Sequence, residues 1–156
     1  MNRYKQRIIL TAAAVLVPLT VACGSAGSGR ADSGAAGVPS PRPVTGVDWR
    51  VHGLTTDGTT RPAPASARIR IGTDGRAAGN LGCNQFAARA TVHGDRITIG
   101  DLRTTRMACD RARMDFERAL ARTLTTGTLT ARVHDGKATL TDGDGDVVHL
   151  ASDTPE

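Results

Sequence analysis

From Val44 onward, apolar residues alternate with polar ones over most of the chain. Arg68-Ile69-Arg70-Ile71 and Ile97-Thr98-Ile99 put their apolar side chains on one face at period two, and Leu129-Thr130-Ala131-Arg132-Val133 does the same. That alternation predicts strands buried on one side and wet on the other. Further strands are expected at 48–54, 76–80, 87–92, 138–141 and 147–151. Hairpin turns are expected at Gly72-Thr73-Asp74-Gly75, His93-Gly94-Asp95, His134-Asp135-Gly136 and Asp142-Gly143-Asp144-Gly145-Asp146, because Asp-Gly pairs take the positive φ angles that tight hairpins need. One stretch breaks the period. Between Asp110 and Leu124, the residues Ala112, Phe116, Ala119, Leu120 and Thr123 share one helical face. Asp110 is the expected N-cap and Gly127 lies just past the end. Phe116 reads as a core anchor rather than a ligand-stacking ring. The fold class is therefore α+β: an antiparallel sheet, strongly curved or closing into a small barrel, with one helix.

Upstream of this domain the pattern changes twice. Residues 1–7 are polar and cationic, with Arg3, Lys5 and Arg7, and residues 8–19 (IILTAAAVLVPL) form an apolar run. A cationic start, a short apolar centre and small residues before a cut site describe a secretory signal over residues 1–22. Thr20-Val21-Ala22-Cys23 resembles a bacterial lipobox, although Leu19 stands one place further back than is usual. The resemblance implies that the Cys23 thiol takes a diacylglyceryl group and becomes the mature N-terminus, a stable anchor once two or three acyl chains are present. The alternative is a plain secreted chain in which Cys23 is incidental. Residues 24–43 (GSAGSGRADSGAAGVPSPRP) carry too little apolar surface to offset the entropy of ordering. With Cys23 they read as a lipidated cysteine and linker over 23–43, followed by a domain over 44–152. The GSAGSG run is not a phosphate loop, since no strand precedes it and no helix follows.

Composition narrows the function classes. No apolar run reaches the roughly 18 residues of a stable membrane span, and three cysteines do not make a disulfide-dense mini-protein. The formal charge of +5 shrinks on inspection. Past residue 22 there are 17 basic and 15 acidic residues, and from Val44 onward 15 and 14. The arginines are interleaved with aspartates, and the domain's aromatics are Trp49, Phe86 and Phe116. Clustered charge with stacking rings is the expected footprint of a nucleic-acid binder, so nucleic acid is not an expected partner.

Two segments carry the most specific signal: Gly79-Asn80-Leu81-Gly82-Cys83-Asn84-Gln85-Phe86 and Thr104-Thr105-Arg106-Met107-Ala108-Cys109. Together they resemble the META domain, the HslJ-like family of bacterial envelope proteins. Ile99-Gly100, Glu117-Arg118-Ala119-Leu120, Trp49 and Leu54 fall where that family has matching features, over roughly residues 46–150. Ala87-Ala88-Arg89-Ala90 departs from the family's usual Gly and Tyr. The resemblance implies a small β-rich barrel-like domain with a helix, exported or lipid-anchored and linked to envelope stress, with no catalytic residues to carry over. If Cys23 is lipidated, Cys83 and Cys109 remain in an oxidising compartment. They are expected either to form a disulfide or to stay as two buried thiols acting as small apolar groups. A bridge would stabilise by roughly 3–4 kcal/mol in the chain-entropy model and tie the Gly-Cys-Asn turn to the start of the helix. Gly79 and Gly82 are expected at unusual φ or close backbone approaches. Asn84 is expected to close the turn through its amide, with a ligand contact as the alternative.

Catalytic constellations do not assemble. The domain's serines are Ser66 and Ser152, and no G-x-S-x-G occurs. His52, His93, His134 and His149 are scattered, with no pair at metal-ligand spacing. The alternating aspartates at 142–146 resemble the opening of a calcium loop, but position six is Val147 and position twelve Asp153, so a hairpin is the expectation. The reading is a non-catalytic lipoprotein without cofactor or metal, on the extracytoplasmic face of the cell membrane. Its expected contacts are the membrane, through Cys23, and an unidentified envelope protein or ligand. The alternative is an interaction module such as an inhibitor or assembly chaperone. A barrel filled with Ile, Leu and Val supports the first, an open apolar groove the second, and clustered buried carboxylates an enzyme.

Overall fold

A computed structural model describes residues 43–153. The signal segment, Cys23 and the linker up to residue 42 lie outside the described residues. The elements are β1 (Asp48–Thr56), β2 (Thr59–Pro62), β3 (Arg68–Ile71), β4 (Arg76–Asn80), β5 (Gln85–His93), β6 (Arg96–Thr104), α1 (Arg111–Thr125), β7 (Thr128–His134), β8 (Lys137–Thr141) and β9 (Val147–Ser152). Each strand pairs antiparallel with its neighbour in the order β1-β3-β4-β5-β6-β7-β8-β9, and β9 returns to β1. Eight strands therefore close a barrel, and β2 folds back on β1 outside the ring. Barrels of this strand number leave an interior that side chains fill.

The expected period-two pattern holds. Ile69, Ile71, Ala77, Ile97, Ile99, Leu129, Leu140 and Val148 point inward and are buried, while the residues between them face solvent. At β1 a bulge between Val51 and Gly53 shifts the register against β9, so that Leu54 joins Trp49 and Val51 inside. The Trp49 indole N–H, buried with its ring, donates to the Val44 carbonyl at 2.8 Å. That bond fixes the segment leading into the barrel.

All four expected hairpins form. His134-Asp135-Gly136 closes with φ of 46° at Asp135 and 66° at Gly136, the double positive φ of a type I′ turn. Asp57-Gly58 makes the same turn between β1 and β2, with φ of 50° and 71°. The strand β2 was not expected, because Thr59-Thr60-Arg61-Pro62 buries no face and shows no alternation. β6 also runs past the expected Ile99 to Thr104, with Asp101 at φ 52° where the β5–β6 register shifts.

The helix begins where its cap predicts. Asp110 is extended, and its Oδ1 accepts from the Arg113 N–H at 3.0 Å. The buried face is Phe116, Glu117, Ala119, Leu120, Thr123 and Leu124. Two corrections apply to the expected stripe: Ala112 is exposed, and Glu117 is buried in its stead. Ala112 lies in the first turn, before the helix meets the barrel. Glu117 turns inward because the backbone N–H and the side-chain amide of Asn84 both donate to it there. No described helix is long and apolar enough to cross a membrane.

Candidate functional site

The two cysteine segments meet beneath the helix. The turn Leu81-Gly82-Cys83-Asn84 joins β4 to β5 and is buried throughout, which is unusual for a connection. A buried turn must pair its polar groups internally, and this one does. Leu81 N donates to the Asn84 carbonyl at 2.8 Å. Gly82 N donates to Asn80 Oδ1 at 2.7 Å, and the Gly82 carbonyl accepts from the Ser66 hydroxyl at 2.7 Å. The Asn80 side chain and the Asn84 carbonyl thus close the turn, not the Asn84 side chain as expected.

Asn84 instead reaches out to two other elements. Its Oδ1 accepts from Met107 N at 2.7 Å and from the Thr105 hydroxyl at 2.8 Å. Its Nδ2 donates to Glu117 Oε1 at 3.0 Å and to the Met107 carbonyl at 3.3 Å. Two acceptor sites and two donors exhaust the capacity of an amide. Glu117 closes the circuit, since its Oε2 accepts from Asn84 N at 2.7 Å. One carboxylate therefore receives both the backbone and the side chain of Asn84. No buried side-chain nitrogen or oxygen among the described residues lacks a partner.

Cys83 and Cys109 are joined by a disulfide, with Cα atoms 6.1 Å apart. Of the two expected states, the bridge is the one present. Cys109 immediately precedes the helix cap Asp110, so the bridge ties the buried turn to the start of α1. The exposed segment 105–108 is thus fastened twice, by Asn84 and by the disulfide.

The glycines make this approach feasible. A Cβ on Gly79 would stand 2.0 Å from the Arg68 carbonyl oxygen, inside the neighbouring strand. Gly82 has φ of 116°, and a Cβ there would press on the Pro64 ring at 3.0 Å. Both expectations for these residues hold.

The remaining sequence candidates are used locally. Asp142 Oδ1 accepts from the N–H groups of Asp144 (3.0 Å) and Asp146 (2.9 Å), so it closes the β8–β9 hairpin. His149 Nε2 meets the Thr55 hydroxyl at 2.8 Å, and His134 Nδ1 meets its neighbour Asp135 at 2.7 Å. The two buried carboxylates, Glu117 and Asp142, sit in separate networks and do not form an acid–base pair. No group of three metal-ligating side chains occurs among the described residues. Beside this knot of buried turn, disulfide and Asn84–Glu117 hydrogen bonds lies an open cleft of about 750 Å³ between residues 61–66 and the first half of α1, lined by Pro62, Pro64, Ala112 and Phe116 among others. A second, polar cleft of about 490 Å³ holds Asp57, Arg61, Arg122, Asp144 and Asp146.

Chemically, the arrangement joins three elements: the turn, the 105–109 segment and α1. Its sulfurs are bonded to each other, its amide is saturated, and its carboxylate already accepts two hydrogen bonds. Glu117 stands in the Glu117-Arg118-Ala119-Leu120 segment that the family resemblance picks out, but the apolar stripe passes over it and its contact with Asn84 is not written in the spacing.

Comparison with known proteins agrees with this geometry. A sequence model of the META domain matches residues 42–155. Among solved structures, the fold is similar to an NMR structure of a protein from Burkholderia xenovorans, with a TM-score of 0.61 and 22% identity, covering 72% of this chain and 85% of that one. A second NMR structure matches with a TM-score of 0.53 and 16% identity, covering 67% and 87%. At these identities the likeness is one of fold. No curated protein matches the chain.

Proposed function

The chain belongs to the META domain family, and from that premise we propose that it is a non-catalytic, HslJ-like lipoprotein. It is held at Cys23 on the extracytoplasmic face of the cell membrane, where it binds an envelope component or contributes to tolerance of envelope stress. The observation that carries this reading is the use of chemistry in the domain. Cys83, Cys109, Asn84, Glu117 and Ser66 would be the first residues sought for reactivity, and all five are engaged in holding the turn, the 105–109 segment and α1 together. A disulfide in so small a domain also suits an oxidising compartment outside the cytoplasm. The barrel interior, filled by Ile, Leu and Val, leaves the outside surface as the part that meets a partner. The second reading, an inhibitor or assembly chaperone, is favoured by the apolar cleft beside α1.

The test is metabolic labelling with a radioactive fatty acid, followed by membrane fractionation of the parent chain and of Cys23→Ser. The parent should carry the label and sediment with membranes, and the variant should lose both. Equal label and equal sedimentation would overturn the anchor. In the same cells, crosslinking through the cleft residue Ala112→Cys, compared with a cysteine on the far side of the barrel, separates a cleft-bound protein partner from the first reading.

A further inference from the structure

The register of the barrel does something that the linear sequence conceals. Along one row, Arg70, Ala78, Ala87 and Arg103 are consecutive cross-strand partners on β3, β4, β5 and β6, and all four are exposed. One row towards the knot, Arg50 lies directly opposite Arg68, which in turn faces Asn80. One row the other way, Arg76 lies directly opposite Arg89. The outer face of β3–β6, with Arg50 on the adjoining strand β1, is therefore a floor of two alanines ringed by arginines. On the other side of the barrel, β7, β8 and β9 carry only Arg132 and Lys137.

Like charges placed directly across a ladder oppose sheet formation, and this face has two such pairs. Carboxylates offset part of the repulsion from the rim. Asp153 meets Arg50 at 3.0 Å, Asp48 meets Arg70 at 2.5 Å, Asp101 meets Arg89 at 3.3 Å and Asp74 meets Arg76 at 4.0 Å. These are exposed pairs, weak and easily exchanged. Arg68 and Arg103 have no carboxylate within salt-bridge distance among the described residues. Six arginines against four aspartates leave this face positive, and its low floor lets a broad anionic surface approach all the guanidiniums at once. No aromatic side chain stands on it for a base to stack upon.

The chain also enters the domain here. Gly46 N donates to the Ile71 carbonyl at 2.8 Å, at the end of the strand that bears Arg68 and Arg70. Nineteen residues lie between Cys23 and Pro43. An anchor at Cys23 would hold the domain within reach of its own membrane, with the entry point one residue along β3 from Arg70.

We propose that the outer face of β3–β6, centred on Ala78 and Ala87 and ringed by Arg68, Arg70, Arg76, Arg89 and Arg103, docks on the anionic phospholipid headgroups of the membrane that holds the anchor. The proposal rests on the reading of an anchored chain. It gives the domain a preferred orientation, with β7, β8 and β9 on the far side of the barrel from the headgroups.

The test is residue-resolved modification of arginines by a dicarbonyl reagent, read by mass spectrometry. The full chain is reconstituted in vesicles of phosphatidylglycerol mixed with phosphatidylcholine, or of phosphatidylcholine alone. Arg68, Arg70 and Arg103 should react about fivefold more slowly or less on the anionic vesicles, the factor supplied by a single arginine contact with such a surface. Arg111, Arg122 and Arg132 should react at the same rate on both. High salt should abolish the difference. Equal rates for the two groups would overturn the proposal. So would protection of the face by soluble polyphosphate with none from anionic vesicles, which would assign it to a polyanion in solution. The mass of the Cys23 peptide in the same digest reports the acyl group, so a failed anchor and a failed face are distinguishable.

Discussion

Replacing Asn84 by Asp changes almost no volume, yet it puts an oxygen where an N–H now donates to Glu117 Oε1 at 3.0 Å. Two outcomes compete. If both carboxylates stay ionised, their repulsion at that distance is about 5–6 kcal/mol at an effective dielectric constant of about 20. If the pair instead keeps one proton, the cost at pH 7 is that of protonating an ordinary carboxyl group some three pH units above its usual value, about 4 kcal/mol. The second cost is smaller, so the variant should fold with a shared proton and lose about 4 kcal/mol at neutral pH. The sign of the pH dependence follows. The folded variant binds a proton that the unfolded chain releases above about pH 4, so its folded pKa is raised. The penalty is then absent near pH 4 and grows by about 1.4 kcal/mol per pH unit up to neutrality. Asn84→Ala removes the same hydrogen bonds without adding a charge, so it should cost about 2–3 kcal/mol with no such slope. Trp49 is the chain's one tryptophan and is buried, so its fluorescence reports urea unfolding directly. The measurement is the stability of both variants against the parent across that pH range, with the disulfide intact. A variant Asn84→Asp that tracks Asn84→Ala at every pH, or costs under about 1 kcal/mol at neutrality, would show that Glu117 does not face Asn84 in a closed site.

Other perturbations test neighbouring parts of the account. Gly79→Ala puts a methyl group 2.0 Å from the Arg68 carbonyl oxygen, so the β3–β4 ladder must part there. Circular dichroism should report a loss of stability beyond the roughly 1–3 kcal/mol usual for overpacking, and a parent-like melt would contradict the close approach. Cys83→Ser with Cys109→Ser should lower stability by about 3–4 kcal/mol, and thiol titration of the denatured, unreduced parent should find neither cysteine free. Trp49→Phe removes the hydrogen bond to Val44 and should cost about 1 kcal/mol, with faster amide exchange confined to residues near Val44 and Gly46. Because Asp142 already accepts two backbone N–H groups, millimolar calcium should leave the melting curve where it is, and a clear rise would assign the hairpin to the ion.

Much of the fold was legible because alternation and Asp-Gly turns are local signals. Arg68–Ile71 and Arg76–Asn80 form as the pattern places them, and the helix starts at the residue after Asp110. β2 escaped because it lies outside the ring and buries nothing, even though Asp57-Gly58 carries the same turn chemistry that marks His134-Asp135-Gly136. The site was half legible. The two cysteine segments identified themselves, but the partners of Asn84 depend on Glu117, a carboxylate beside the apolar stripe, and on how close the 105–107 segment passes. Neither is written in spacing. The arginine face was invisible for a related reason. In the sequence its arginines alternate with aspartates and isoleucines, which argues against a basic patch. Only the pairing of β1 with β3, β3 with β4, β4 with β5 and β5 with β6 collects residues as far apart as Arg50 and Arg103 on one surface.

On the proposed reading the protein is an anchored domain whose remaining sulfurs hold it together. Intact-mass spectrometry of the protein taken from the membranes of its own cells, without reduction and after alkylation, tests both halves together. The account predicts a chain beginning at Cys23 with its acyl groups attached and no alkylated cysteine. A chain beginning at Met1, recovered from the soluble fraction with its cysteines alkylated, would contradict it.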